Sequence, residues 1–192
     1  MHDKGNNHEF HRICPWWKGY LLLNPLRWLR QNPNRVLSGM VKDGMTVLEV
    51  GPGMGFFSLE LARLAGPTGR IIAIDIQEKM LKTLERRARR AGLNERFDLR
   101  LARPHGLGVE DAAGRVDFIL AFYVVHELPD SDSFFGEAMR ALKPGGSMLV
   151  SEPDVRVKEA QFGKTIQQAV DAGFRVVEKP VIPMSRSVLL TK

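Results

Sequence analysis

Val47-Leu48-Glu49-Val50-Gly51-Pro52-Gly53-Met54-Gly55 is the stretch from which the fold can be read. Its first half, together with Met45 and Thr46, is a short apolar run rich in β-branched residues and bounded by glycines, as a strand buried in a parallel sheet requires. Its second half places glycines where the chain leaves that strand. The backbone can therefore turn sharply and approach a ligand seated at the N-terminus of the next helix. Dinucleotide enzymes share this turn, but the details here depart from theirs. The glycines run G-x-G-x-G, and Phe56 stands where G-x-G-x-x-G asks for its third glycine. Glu49, two residues before the first glycine, suits a ligand bearing an ammonium group or hydroxyls rather than a pyrophosphate. The next apolar run, Ile71-Ile72-Ala73-Ile74, ends in Asp75, 20 residues after Gly55. An acid closing the second strand can accept hydrogen bonds from both ribose hydroxyls. Asp75 can also cap a helix starting at Gln77, and the two roles are compatible.

Outward from this stretch the chain alternates strand and helix. Phe56 to Ala65 reads as a helix closed by Gly66-Pro67, and Arg70 to Asp75 as the second strand. Gln77 to Ala91 has Met80, Leu81, Leu84, Ala88 and Ala91 at helical spacing and stops at Gly92. Phe97 to Ala102 and Val116 to Ala121 read as further strands, and Asp130 or Ser131 can cap a helix running to about Leu142. Lys143-Pro144-Gly145-Gly146 reads as a tight return into a strand from Ser147 to Glu152. Lys158 to Ala172 is helical, and two strands near Phe174 to Glu178 and Ser187 to Thr191 close the chain. This order predicts an α/β fold, a mostly parallel sheet with helices on both faces. The short final connection requires an antiparallel last pair.

With these elements in place the chain resembles the class I S-adenosylmethionine-dependent methyltransferases. The resemblance rests on Val47 to Gly55, Ile71 to Asp75, Val116 to Ala121 and Leu142 to Val150, and covers residues 34–192. It implies a Rossmann-like seven-stranded sheet in the order 3-2-1-4-5-7-6, with the last strand antiparallel. It also implies that S-adenosyl-L-methionine is the cofactor. Glu49, Gly51, Pro52, Gly53 and Gly55 would hold its methionine portion and sugar, Asp75 its ribose hydroxyls, and Ile76 and Ala121 would complete the site. The family usually carries an acid after the third strand, near the adenine amine. Here that stretch reads Leu101-Ala102-Arg103-Pro104-His105, which leaves the contact to the backbone.

The methyl acceptor is sought beyond the carboxyl ends of the central strands, where the chain reads Ala121-Phe122-Tyr123-Val124-Val125-His126-Glu127-Leu128-Pro129. The Asn/Asp-Pro-Pro-aromatic motif of enzymes that methylate nucleobase amines or glutamine amides is absent there. The single cysteine, Cys14, lies outside the core, so cytosine C5 chemistry lacks its nucleophile. Both points favour a small-molecule acceptor, with RNA or protein as the alternative substrate and a non-catalytic cofactor-binding subunit as the alternative role. His126 is the candidate base, a neutral imidazole that can take a proton near pH 7; a packing or helix-start histidine is the other reading. Tyr123 lines the pocket or fills the sheet edge. No metal is expected.

The 192 residues predict one domain, preceded by an extension spanning residues 1–33. That extension holds Trp16, Trp17, Trp28, Cys14, His2, His8, His11 and Tyr20. The first 40 residues also carry a net +4 of the chain's +6, which keeps nucleic acid or another anionic partner open. His8, His11 and Cys14 have the spacing H-x-x-H-x-x-C, which a second cysteine would be needed to support as a zinc site. The segment from Cys14 to Leu23 has three readings: a lid over the cleft, a membrane-interface anchor, or a homodimer contact. The lid is favoured, with residues 10–30 folding over the acceptor and Trp16, Trp17 and Tyr20 closing the pocket. No apolar run reaches the roughly 18 residues of a membrane span, and the polar N-terminus does not read as a secretory signal. A cytoplasmic location is expected.

Overall fold

The computed structural model describes residues 25–102 and 106–192. One seven-stranded sheet runs in the order β3-β2-β1-β4-β5-β7-β6, as the resemblance implied. β1 (Thr46–Val50), β2 (Arg70–Asp75), β3 (Phe97–Leu101), β4 (Val116–Phe122) and β5 (Leu142–Pro153) are parallel. β7 (Ser185–Thr191) pairs antiparallel with both β5 and β6 (Arg175–Glu178).

The central strands are apolar on both faces because helices cover both. On one face Leu48, Val50, Ile72, Ile74, Ile119 and Val150 share a core with Phe134 and Phe135 of α5 (Ser131–Ala141) and Phe162 of α6 (Glu159–Asp171). On the other, Val47, Ile71, Ala73, Phe118 and Leu120 pack with Leu37 of α2 (Pro33–Leu37), Leu61 of α3 (Ser58–Leu64) and Leu84 of α4 (Glu78–Arg90). Asp130 caps α5, its carboxylate accepting from the Ser133 N–H at 2.9 Å.

One element differs from its sequence reading. Lys143-Pro144-Gly145-Gly146 is not a turn before the fifth strand but part of it. Val116 pairs with Leu142 and Phe118 with Ser147, so the intervening residues bulge out of register. Pro144 donates nothing to a ladder, and Gly145 takes φ +77°. A bulge is where a sheet tolerates both.

Ahead of the sheet, α1 (Pro25–Arg30) leads into α2, whose N-terminus is capped by Asn32, accepting from Asn34 N at 2.9 Å and Arg35 N at 3.4 Å. Gln31, between the two helices, is 3% exposed. Its Nε2 reaches Tyr123 Oη at 2.5 Å, the Pro183 carbonyl at 2.8 Å and Ser185 Oγ at 3.1 Å, which ties this connection to the carboxyl end of β4 and the start of β7. Trp16, Trp17 and Tyr20, which the sequence reading assigns to a lid, the His8-His11-Cys14 pattern and Arg103 to His105 lie outside the described residues. Among the described residues, no helix is long and apolar enough to cross a membrane, and no cluster of His, Cys, Asp or Glu could hold a metal ion.

Candidate functional site

β1 leaves the sheet at Gly51, whose N–H still bonds to the Ile74 carbonyl at 2.8 Å. Gly51, Gly53 and Gly55 take φ values of +68°, +55° and +84°, a region that side-chain-bearing residues enter only with strain. The outer two are also constrained by packing. A Cβ on Gly51 would lie 2.7 Å from Val124 Cγ2, and one on Gly55 would lie 2.5 Å from Leu84 Cδ1. A Cβ on Gly53 would meet nothing within 4 Å, so the middle of the loop opens on free space. Pro52 is buried beneath it. Arg87 of α4 braces the loop by donating to the carbonyls of Met54 and Gly55, the latter at 3.0 Å.

Two acids face this loop. Asp75, at the end of β2, accepts at Oδ1 from the N–H of Gln77, the residue that leads into α4, at 2.8 Å, and at Oδ2 from Gly53 N at 3.1 Å. Burial pushes its pKa up to about 6, against the pull of those N–H groups. Glu49 is 3% exposed, and burial raises its carboxyl to about 8, with the Ser58 hydroxyl dipole lowering it and the Asp75 charge raising it further. Neither Glu49 Oε2 nor Ser58 Oγ completes a hydrogen bond among the described residues. A buried carboxyl oxygen without a donor is costly, and a ligand ammonium or hydroxyl would relieve that cost. Ile76 follows Asp75 with 53% of its surface exposed, an apolar platform beside that acid. Ala121 is fully buried in the core, so any contact from it passes through its backbone. The orphaned acid, the open glycine and the exposed isoleucine together fit the ammonium, ribose and adenine of S-adenosylmethionine.

Beyond β4 the chain turns at Tyr123, a non-glycine residue at φ +63°. Its hydroxyl is held by Gln31, by Ser185 Oγ at 2.7 Å and by the Met184 carbonyl at 3.0 Å. Its ring closes an aromatic series in which Phe56 meets Phe57, Phe57 meets Phe122 and Phe122 meets Tyr123, at centroid distances of 5.1, 4.3 and 4.5 Å. The Arg27 guanidinium lies 4.1 Å over Phe56 and within 5.9 Å of the other three ring centroids, a cation–π arrangement. Burial lowers its pKa to about 10, with Tyr123 opposing, so it stays charged at neutral pH.

His126 sits in the three-residue 3-10 turn Val125–Glu127. Its Nδ1 contacts Oε2 of Glu152, a side chain 1% exposed at the end of β5. Glu152 Oε1 accepts from Val125 N at 2.8 Å and from His126 N at 3.4 Å. The other ring nitrogen, Nε2, is out of water and has no hydrogen-bond partner; Glu127 Oε1 is 3.8 Å away. Sequence reasoning found His126 and Tyr123 but missed Glu152, Gln31 and Arg27. Glu152 carried a usable signal, since it ends a buried apolar strand as Asp75 does.

A sequence family described as a methyltransferase domain matches residues 41–179. The ubiquinone/menaquinone biosynthesis C-methyltransferase UbiE of Escherichia coli is 28% identical over 149 residues, which cover 78% of this chain and 55% of that protein. The chain thus spans about half the length of the curated relatives it matches. A SAM-dependent methyltransferase from Aquifex aeolicus superposes with TM-score 0.82 at 27% identity, covering 93% of this chain and 99% of that one. A putative S-adenosyl-L-methionine-dependent methyltransferase from Methanococcus maripaludis shares the fold with TM-score 0.73 at 16% identity, over 100% and 96% of the two chains.

Proposed function

The chain belongs to the S-adenosylmethionine-dependent methyltransferases, and from that premise we propose that it transfers a methyl group from S-adenosylmethionine to a small-molecule acceptor. The observation that carries the reading is the cradle between β1 and β2, where the orphaned, buried Glu49 faces a glycine loop that Asp75 holds through the Gly53 N–H. In this reading Glu49 takes the ammonium and sugar side of the cofactor, Asp75 the ribose hydroxyls and Ile76 the adenine face. Gly51, Pro52, Gly53 and Gly55 shape the loop, and Ala121 contributes backbone. When bound, the cofactor supplies a methyl group already activated on a sulfonium. The protein's own work is then alignment and the exclusion of water. Tyr123 and the adjoining phenylalanines wall the acceptor side, and His126 is the group placed to take a proton. Support for a small acceptor comes from the C-methyltransferase relative, from the missing amine-methylation motif after β4, and from the lack of a core cysteine.

The test is incubation of the protein with labelled S-adenosylmethionine and cell extract, followed by separation of small solutes, lipids, nucleic acid and protein. Label is expected in small solutes or extractable lipids. Label confined to nucleic acid or protein overturns the acceptor class. No label in any fraction, with the cofactor tightly bound, makes the chain a binding subunit and overturns the transfer itself.

A further inference from the structure

We infer that Glu152 is the positioning residue of this site. It holds His126 as the Nδ1–H tautomer with its Nε2 lone pair free, which suits the site to an acceptor whose nucleophilic atom sheds a proton as it is methylated. The inference rests on the methyl-transfer reading and adds the chemical class of its acceptor.

The tautomer follows from counting donors. A carboxylate only accepts hydrogen bonds. Oε1 of Glu152 already receives the Val125 and His126 N–H groups at 2.8 and 3.4 Å, and Oε2 faces His126 Nδ1. Two backbone N–H groups occupy Oε1 and only the ring nitrogen faces Oε2, so with Glu152 as the carboxylate the hydrogen between them is the one on Nδ1. Neutral imidazole has one hydrogen, so Nε2 is bare. That atom is shielded from water and unpartnered, a state native proteins avoid unless something else fills it. Glu127, 3.8 Å away, is too distant to bond it. The two residues of the pair come from the carboxyl ends of adjacent strands, where Ala121 pairs with Val150 and Phe122 with Ser151. This is the edge of the sheet that also carries the cofactor loop.

The proton balance identifies the substrate class. The acceptor atom forms its new bond to the methyl carbon with its own electron pair, and the sulfur–carbon pair stays on sulfur. The hydrogen that the acceptor atom carried goes to Nε2, giving an imidazolium opposed by Glu152, which later returns the proton to water. A hydroxyl, an enol or a ring carbon bearing hydrogen fits this balance, and C-methylation belongs to the class because the carbon that gains methyl must lose hydrogen. A thioether, which has nothing to shed, gains nothing from the pair.

Glu152→Gln separates positioning from simple support. Its amide oxygen can keep the two backbone N–H bonds, while its NH2 group then faces Nδ1 as a donor and drives the ring proton to Nε2. Nitrogen-15 NMR of the protein saturated with S-adenosylhomocysteine should show Nδ1–H for His126 in the wild type and Nε2–H in the variant, with matching melting curves. S-adenosylhomocysteine affinity should stay within twofold. Transfer of label into the fraction that wild type methylates should fall about 100-fold or more, the usual contribution of a general base. Nε2–H in the wild type overturns the inference, and that measurement stands even if the variant fails to fold. Undiminished transfer by a folded variant also overturns it, as does a wild-type product methylated on a thioether. If the tautomers behave as expected but wild type labels no fraction, the transfer reading fails and the acceptor class falls with it.

Discussion

Glu49 combines a structural cost with the binding role proposed for it, and pH separates them. Burial lifts its pKa from 4.5 to about 8 in the folded chain. An acid whose pKa is raised on folding costs nothing below its unfolded value, costs progressively more as pH rises between the two values, and imposes its full cost above the folded value. For this residue the cost therefore builds between about pH 4.5 and 8. Glu49→Gln keeps the shape and removes the ionisation. Calorimetry should find the variant melting above wild type at pH 9 and close to it at pH 5. Equal melting at pH 9 would mean that the carboxyl is solvated and the orphaned oxygen has been misread. The binding role has the opposite sign. An ionised Glu49 attracts the cofactor's ammonium, so wild-type affinity for S-adenosylhomocysteine should climb between about pH 6.5 and 8.5, and the glutamine variant should lose most of that climb. One residue thus weakens the empty fold and strengthens the liganded one, as expected where a polar group is buried for a ligand.

At the scale of elements, the loop after β1 assigns separate tasks to glycines that look alike in sequence. Gly51 is needed by the protein's own packing, because an added Cβ would meet Val124 at 2.7 Å; Gly53 opens on the cradle, with nothing inside 4 Å. Gly51→Ala should therefore cost roughly 1–3 kcal/mol in denaturant unfolding through overpacking and backbone strain. Gly53→Ala should unfold nearly as wild type does, less about 1 kcal/mol for its left-handed backbone, yet bind S-adenosylhomocysteine at least several-fold more weakly. If Gly53→Ala binds normally, the ligand does not lie on that side of the loop. Neighbouring elements show what sequence makes legible. Ile71 to Asp75 and the helix face of Met80, Leu81, Leu84 and Ala88 announce themselves because burial is written into local composition and spacing. The bulge at Lys143 to Gly146 is not announced, since Pro-Gly-Gly carries the same local preferences in a turn as in a bulge, and only pairing with Val116 and Phe118 decides between them. Likewise, the His126–Glu152 pair spans 26 residues and Gln31–Tyr123 spans 92. Both depend on which strands lie side by side, a property of the sheet order rather than of either segment.

For the whole molecule, the sheet order places the β1 and β4 ends side by side and the chain turns away in opposite directions on either side, making the crevice in which doubly wound folds bind their ligands. Nicotinamide enzymes use the same crevice, so the architecture alone does not choose the ligand; the side chains do. A dinucleotide pyrophosphate would bring negative charge onto Glu49 and Asp75, with Phe56 where its third glycine belongs. In the proposed site S-adenosylhomocysteine would bring an ammonium to the first acid and hydroxyls to the second. Because the proposed contacts come from the ends of β1, β2 and β4 together, binding there is linked to global unfolding rather than to one loop. Mass action gives about 2.7 kcal/mol at a ligand concentration 100 times Kd. For a chain of this length that corresponds to a rise in Tm of roughly 5–10 °C. Thermal melts should show this rise with S-adenosylhomocysteine and little or none with NAD at equal concentration. A larger rise with NAD would reassign the crevice to a dinucleotide. A rise with S-adenosylhomocysteine that survives the double substitution Glu49→Gln, Asp75→Ala would place the ligand away from both acids and remove the physical basis of the site.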